Sequence, residues 1–121
     1  GGLMYLTKSI DNLPMVDVFP YKSELTNKVQ GLSYTIANVI QDNPIQKKGE
    51  TYHGHEFHYS KVEYTGSNKN DFAFEMKRGV GITGKYDGLL KNKTVASYIH
   101  THTSCLPDFA YNFTQSIIDG K

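Results

Sequence analysis

The chain has 121 residues, with 13 basic and 12 acidic side chains, five histidines, one cysteine and no tryptophan, and a formal net charge of +1 at pH 7. That length suits one domain, which buries roughly 65–70% of its unfolded surface. The balanced, dispersed charge leaves no footprint for nucleic acid or an anionic membrane, and no apolar run approaches the roughly 18 residues that span a bilayer.

Taken in chain order, Leu3, Met4, Leu6 and Ile10 fit the apolar stripe of a short helix that Asn12-Leu13-Pro14 stops. Met15 to Phe19 alternates and reads as a short strand closed by Pro20, while Ser23 to Gln30 is ambiguous. Leu32 to Gln41 is rich in β-branched residues and predicts a strand. Gln46-Lys47-Lys48-Gly49 predicts a turn, and Phe57 to Tyr64 a further strand. Ser67 to Asn70 is an exposed turn before a strand at Phe72 to Met76. Beyond a glycine-punctuated stretch from Gly79 to Gly88, Leu89-Leu90 pairs through Lys91-Asn92-Lys93 with Thr94 to Ile99. Pro107 opens a last helix that runs to about Ile118. The expected architecture is a helix, a mostly antiparallel sheet and a closing helix.

Gly79-Val80-Gly81-Ile82-Thr83-Gly84 matches the dinucleotide-binding fingerprint in letters, but Lys85-Tyr86-Asp87-Gly88 follows it. The fingerprint needs a strand before and a helix after, so that the helix N-terminus meets the pyrophosphate. Another turn follows here, so a hairpin or bulge loop is expected, one that can lend backbone to a pocket.

The histidines fall into two groups, His53, His55 and His58, then His100 and His102. Within a strand, residues two apart share a face, so His53 with His55 and His100 with His102 could bring four imidazoles to zinc or iron. Gly54 and the terminal helices fit a ligand-presenting barrel poorly, and Glu56 is the only acidic neighbour, so no metal is expected. The plain alternative is partly exposed, hydrogen-bonded histidines. His100 stands at the mouth of a strand, where a catalytic base is often found, yet Cys105 is only five residues on and too near along the chain to be its nucleophile. A packing role is expected for Cys105, and a single cysteine excludes an internal disulfide framework. The expected compartment is cytoplasmic.

Together, Gly1-Gly2-Leu3-Met4-Tyr5-Leu6, Pro14-Met15-Val16, Gly54-His55-Glu56-Phe57-His58-Tyr59-Ser60, Gly88 and Ser97-Tyr98-Ile99-His100-Thr101-His102 carry a resemblance. In this order and at these intervals the chain resembles the glutamine amidotransferase domain of cobyrinate a,c-diamide synthases. The resemblance spans nearly the whole chain, and the block from Gly54 to Ser60 is its most specific part. A tag remnant is the plain reading of Gly1 and Gly2, but Leu3 to Leu6 continue the motif in register.

The resemblance implies an α/β fold: the C-terminal portion of a class I glutamine amidotransferase-like domain, a mixed sheet with antiparallel hairpins and flanking helices. It implies that residues 1–121 are a partial domain beginning just after the nucleophilic cysteine, with an ATP-binding domain N-terminal to it and outside this chain. His100 then matches the base for that cysteine. His102 occupies the place of an acidic residue that would orient the imidazole, and the Gly1 N–H matches an oxyanion donor. Gly54, His55, Glu56, His58, Tyr59 and Ser60 form the strand whose edge would hold the α-amino and α-carboxylate groups of glutamine.

The implied activity is that of an ATP-dependent amidoligase. Ammonia released from glutamine amidates acetate side chains of a tetrapyrrole, either cobyrinate on the route to cobalamin or, in a close relative, nickel sirohydrochlorin. ATP and magnesium belong to the other domain, no cofactor to this one, and the 121 residues alone are expected to be inactive. A metal-binding domain and a non-catalytic pseudoenzyme are the rival readings. Sheet edge left open by upstream strands outside the chain would favour homo-oligomers.

Overall fold

The computed structural model describes residues 1–120. A short helix α1 (Gly2–Tyr5) leads into strands β1 (Thr7–Ile10), β2 (Leu13–Pro14) and β3 (Phe19–Leu25). Strands β4 (Gly31–Val39), β5 (Thr51–His58), β6 (Ser60–Glu63), β7 (Phe72–Arg78), β8 (Tyr86–Lys91) and β9 (Thr94–Ala96) follow, and helix α2 (Phe109–Asp119) closes the chain. Single 3₁₀ turns lie at Lys69–Asp71 and Thr103–Cys105.

The strands make two sheets, β2-β1-β3-β6 and β5-β4-β7-β8-β9, in which β1 and β3 are the one parallel pair among the described residues. The α/β class and mixed sheet expected from the sequence are present, but as two sheets. The chain changes sheet at Tyr59, between β5 and β6, where the expected Phe57–Tyr64 strand breaks. Backbone bonds from Thr26 N to Tyr59 O (2.6 Å) and from Gln30 N to His58 O (2.8 Å) tie this crossing to the β3–β4 connection.

Leu3, Phe19 and Val62 pack with Phe72, Leu89, Ala96 and Tyr98, joining the two sheets and α1 through one apolar layer. A second cluster gathers Ala37, Val39, Tyr52, Ala73, Phe74 and Met76 with Ile99 and Leu106. Each such large apolar side chain contributes about 1.5–3 kcal/mol by leaving water.

Four further elements depart from expectation. The helix foreseen over Leu3 to Ile10 ends at Tyr5, and Thr7–Ile10 is a strand. The buried residues of β1, and Ser23 of β3 beside them, are hydroxyls: Thr7 Oγ1 lies 3.1 Å from Ser23 Oγ, which donates to Ser9 O at 2.9 Å. A strand whose buried face is polar has no hydropathy alternation to reveal it. Met15 to Val18 is irregular, with Asp17 at φ 62°, and the strand begins at Phe19 and runs through Pro20. There the register with β1 shifts, and such a bulge tolerates the missing N–H of proline. The closing helix starts at Phe109, two residues after Pro107, and β9 stops at Ala96 rather than Ile99.

The β4–β5 hairpin runs in register from Gly31↔His58 to Asn38↔Thr51, and β5 alternates strictly. Tyr52, Glu56 and His58 are buried, Gly54 is half-buried, and His53, His55 and Phe57 are exposed. A Cβ at Gly54 would collide with the His100 carbonyl oxygen and lie 2.7 Å from Ile99 Cγ2, so only glycine lets the 98–100 segment approach β5. Gly54→Ala is expected to destabilise the fold by about 1–3 kcal/mol. Urea denaturation checks this: a lowered midpoint at unchanged m-value is expected, and a midpoint equal to wild type would contradict the close approach.

Candidate functional site

His100 belongs to no regular strand. Its backbone exchanges both hydrogen bonds with His55, His55 N to His100 O at 2.8 Å and His100 N to His55 O at 2.7 Å. Thr101 Oγ1 extends the attachment by donating to His53 O at 2.9 Å. The His100 ring is exposed and stacks on the His55 ring with centroids 5.5 Å apart and planes 21° apart. Among the described residues no side chain hydrogen-bonds its imidazole, so it is free to exchange a proton with a ligand in front of it.

Beside it, the inward face of β5 carries a carboxylate–imidazole pair. Glu56, 1% exposed, accepts from Val80 N (2.6 Å) and Gly81 N (2.9 Å) through its two carboxylate oxygens, and Oε2 lies 3.3 Å from His58 Nε2. The donors come from the glycine-punctuated loop, where Gly79 and Gly81 sit at φ 104° and 63°. Those angles turn successive N–H groups onto the carboxylate, making an anion-binding concavity occupied by the protein's own side chain. Burial opposes ionisation of Glu56, but the His58 hydrogen bond and the two N–H groups outweigh it and hold the carboxyl below its usual value. Burial likewise favours neutral His58, but its bonds to Glu56 and to Ser60 O (2.9 Å from Nδ1) outweigh that and raise its pKa.

The His58 ring lies flat on Tyr98, with centroids 3.6 Å apart and planes 7° apart, and the Tyr98 hydroxyl meets Ser60 Oγ at 2.8 Å. Both rings border a cleft of about 480 Å³. Its walls bring Gly1, Gly2 and Leu3 of the α1 start together with His58, Tyr59 and Ser60 of the sheet crossing and Tyr98 and His100 of the last segment. Leu25 and Phe57 supply apolar rim, and the Cβ positions of Gly1 and Gly2 meet no atom within 4 Å. Such a cleft suits a small molecule with polar ends, held against an apolar wall and facing an unengaged imidazole.

The structure therefore divides the predicted site. Gly1, His58, Tyr59, Ser60 and His100 line one cleft, although they come from three distant parts of the chain. Three others of the Gly54–Ser60 block do not reach it. Gly54 lies beneath the His100 backbone, His55 is exposed and stacks on the His100 ring without lining the cleft, and the Glu56 carboxylate is enclosed and fully engaged. His102 does not support His100. Its Nδ1 accepts from Ser104 N at 3.1 Å and meets Ser104 Oγ at 2.9 Å, capping the turn at Thr103–Cys105. α1 is a four-residue helix, too short to lend an appreciable dipole to Gly1.

Cys105 is exposed on the His53 side rather than packed, and does not line the cleft. The four imidazoles of the metal arrangement do not converge either: among the described residues no three His, Cys, Asp or Glu side chains stand together as a ligand set. Tyr98 lines the site without having been singled out, because in sequence it looks like a core residue of the strand before His100. No helix among the described residues is long and apolar enough to cross a membrane.

Residues 1–105 match the family model of the CobB/CobQ-like glutamine amidotransferase domain. A cobyrinate a,c-diamide synthase of Methanosphaera stadtmanae is 80% identical over 121 residues, covering 100% of this chain and 27% of the relative. That of Methanobrevibacter smithii is 53% identical over 117 residues (96% of this chain, 26% of the relative), and that of Methanothermobacter thermautotrophicus 49% over 116 (96% and 26%). The chain spans about a quarter of the length of these curated relatives.

The Glu56–His58 pair makes stability depend on pH. A carboxyl with a lowered pKa adds stability above its unfolded value, 4.5, which is lost as pH falls through the folded one. An imidazole with a raised pKa adds stability below its unfolded value, 6.5, which is lost as pH rises through the folded one. Both contributions are complete only between those two values. Glu56→Gln is expected to cost about 3 kcal/mol near pH 5.5 and to flatten the fall in stability as pH rises above 6.5. Urea titrations across that range check it, and an unaltered pH profile would contradict the pairing.

Proposed function

Since this chain belongs to the CobB/CobQ-like glutamine amidotransferase family, we propose that it is the glutamine-hydrolysing part of an ATP-dependent cobyrinate a,c-diamide synthase. The observation that carries this reading is the cleft that sets the Gly1-Gly2 backbone opposite the unengaged imidazole of His100.

In this reading the carboxamide of glutamine enters the cleft, and a cysteine preceding Gly1 in the longer protein attacks it. His100 takes the thiol proton and returns it to the departing ammonia, while the Gly1 N–H faces the oxyanion of the tetrahedral intermediate. Tyr59, Ser60 and Tyr98 offer hydroxyls to the α-amino and α-carboxylate ends of the substrate. His58, with both ring nitrogens engaged by Glu56 and Ser60, donates nothing to glutamine and contributes positive potential beneath the cleft. Gly54 and Glu56 act one step behind, seating His100 and His58. Ammonia then passes to another domain of the protein, where ATP and magnesium activate the acetate side chains of the tetrapyrrole. The names of the relatives favour cobyrinate over nickel sirohydrochlorin as the acceptor.

The test is made in the full-length protein that carries this domain. His100→Asn is expected to lower kcat for glutamine hydrolysis by about 10²–10⁴-fold while leaving amidation with added ammonia intact. Ser60→Ala is expected to raise the KM for glutamine with a smaller change in kcat, and Cys105→Ser to change neither. Full glutaminase activity in His100→Asn would remove the assignment.

A further inference from the structure

His100 receives no hydrogen bond from a side chain among the described residues, so its position is set through its backbone. On one side that hold is the pairing with His55. On the other side, β9 pairs with β8 only as far as Ala96↔Leu89. Extending that register sets Asp87 opposite Tyr98, but the two strands part there and the N–H groups of Tyr98 and Ile99 lose their ladder partners. The Asp87 carboxylate takes them instead. Tyr98 N donates to Oδ1 (3.2 Å) and Oδ2 (3.1 Å), Ile99 N to Oδ2 (3.2 Å) and also to Ser97 Oγ (2.9 Å), and Ser97 Oγ to Oδ2 (2.8 Å).

Asp87 is 0% exposed, and among the described residues no Lys, Arg or His pairs with it as an ion. An enclosed carboxylate without a counter-charge is costly. Burial pushes its carboxyl up to about 6, against the hydrogen bonds from Gly88, Ser97 and Tyr98. A neutral side chain of similar volume would serve a core better, so the acid's worth must lie in what it holds. It holds three consecutive residues, and the next one is His100.

We propose that Asp87 is a positioning residue for the glutaminase step: by gathering the donors of Ser97, Tyr98 and Ile99 it fixes the backbone that presents His100 to the cleft. The substrate never touches it. This assignment rests on the amidotransferase reading above, and it places the acidic support of the base behind the main chain rather than on its ring.

Asp87→Asn is the deciding variant, again in the full-length protein. An asparagine keeps the volume but turns an NH₂ toward N–H groups, so at least one donor loses its acceptor. The expected result is a kcat for glutamine hydrolysis lowered at least about tenfold, a KM for glutamine within about threefold of wild type, and unchanged amidation with added ammonia. A retained KM shows that the cleft is still folded, which a general collapse would not leave. If Asp87→Asn no longer binds glutamine, Ser97→Ala decides. It removes one of the three donors, and a kcat lowered about three- to tenfold at unchanged KM supports the proposal, while a wild-type kcat overturns it. Asp87→Asn with wild-type kcat overturns it directly, provided that His100→Asn is inactive. An inactive wild type or an active His100→Asn would instead strike the amidotransferase reading itself.

Discussion

The carboxylate of Glu56 is enclosed by protein, and much of the local architecture follows from the need to satisfy it there. A buried carboxylate is tolerated when hydrogen-bond donors replace the water it has lost. Val80 N, Gly81 N and His58 do so, and in doing so they lock the glycine loop against β5 and fix the His58 ring. With both of its nitrogens committed, that ring becomes a flat floor for Tyr98, whose hydroxyl reaches Ser60. One ion thus fixes two cleft-lining aromatic rings and the crossing between the two sheets. A loop whose letters suggest phosphate binding is in fact filled by the protein's own anion.

The base of the cleft is held by a different logic. His100 lies beyond the end of β9, where backbone donors would lack partners, and the chain stays ordered because two other parts of the fold supply acceptors. The His55 carbonyl supplies one, within reach only because Gly54 has no side chain, and the buried Asp87, with Ser97 Oγ bound to it, supplies the rest. The imidazole itself is left unbonded apart from its stacking on His55, which gives an exposed, titratable ring on a rigid main chain. That combination fits a group that must both hold its place and exchange a proton.

Legibility in the sequence tracked the chemistry of the buried faces. Where the buried residues are mostly apolar, as in β4 and β7, β-branched and aromatic runs announce the strand. Where they are polar, as with Thr7, Ser9 and Ser23, hydropathy misleads, and the apolar stripe from Leu3 to Ile10 imitates a helix. Spacing within the Gly54–Ser60 block placed the residues on one strand but could not divide them between its faces and the crossing. Glu56 was placed against substrate because it stands in the block that carries the family resemblance, whereas enclosure is a property of neighbours far along the chain. Asp87 was read as part of a turn, since nothing in Tyr86-Asp87-Gly88 reveals which N–H groups will face it.

The sequence by itself determined the family, through the ordered set of motifs around the Gly54–Ser60 block, and several of the strands, because β-branched and aromatic runs are local signals. Only the tertiary structure decided that the Glu56 carboxylate is enclosed, that Gly54 lies beneath the His100 backbone, that His102 caps a turn, and that Asp87 accepts from the N–H groups of Tyr98 and Ile99. Each of those roles depends on a hydrogen-bond partner or a steric neighbour, and a partner's identity is settled by how the two sheets fold together rather than by the residues on either side.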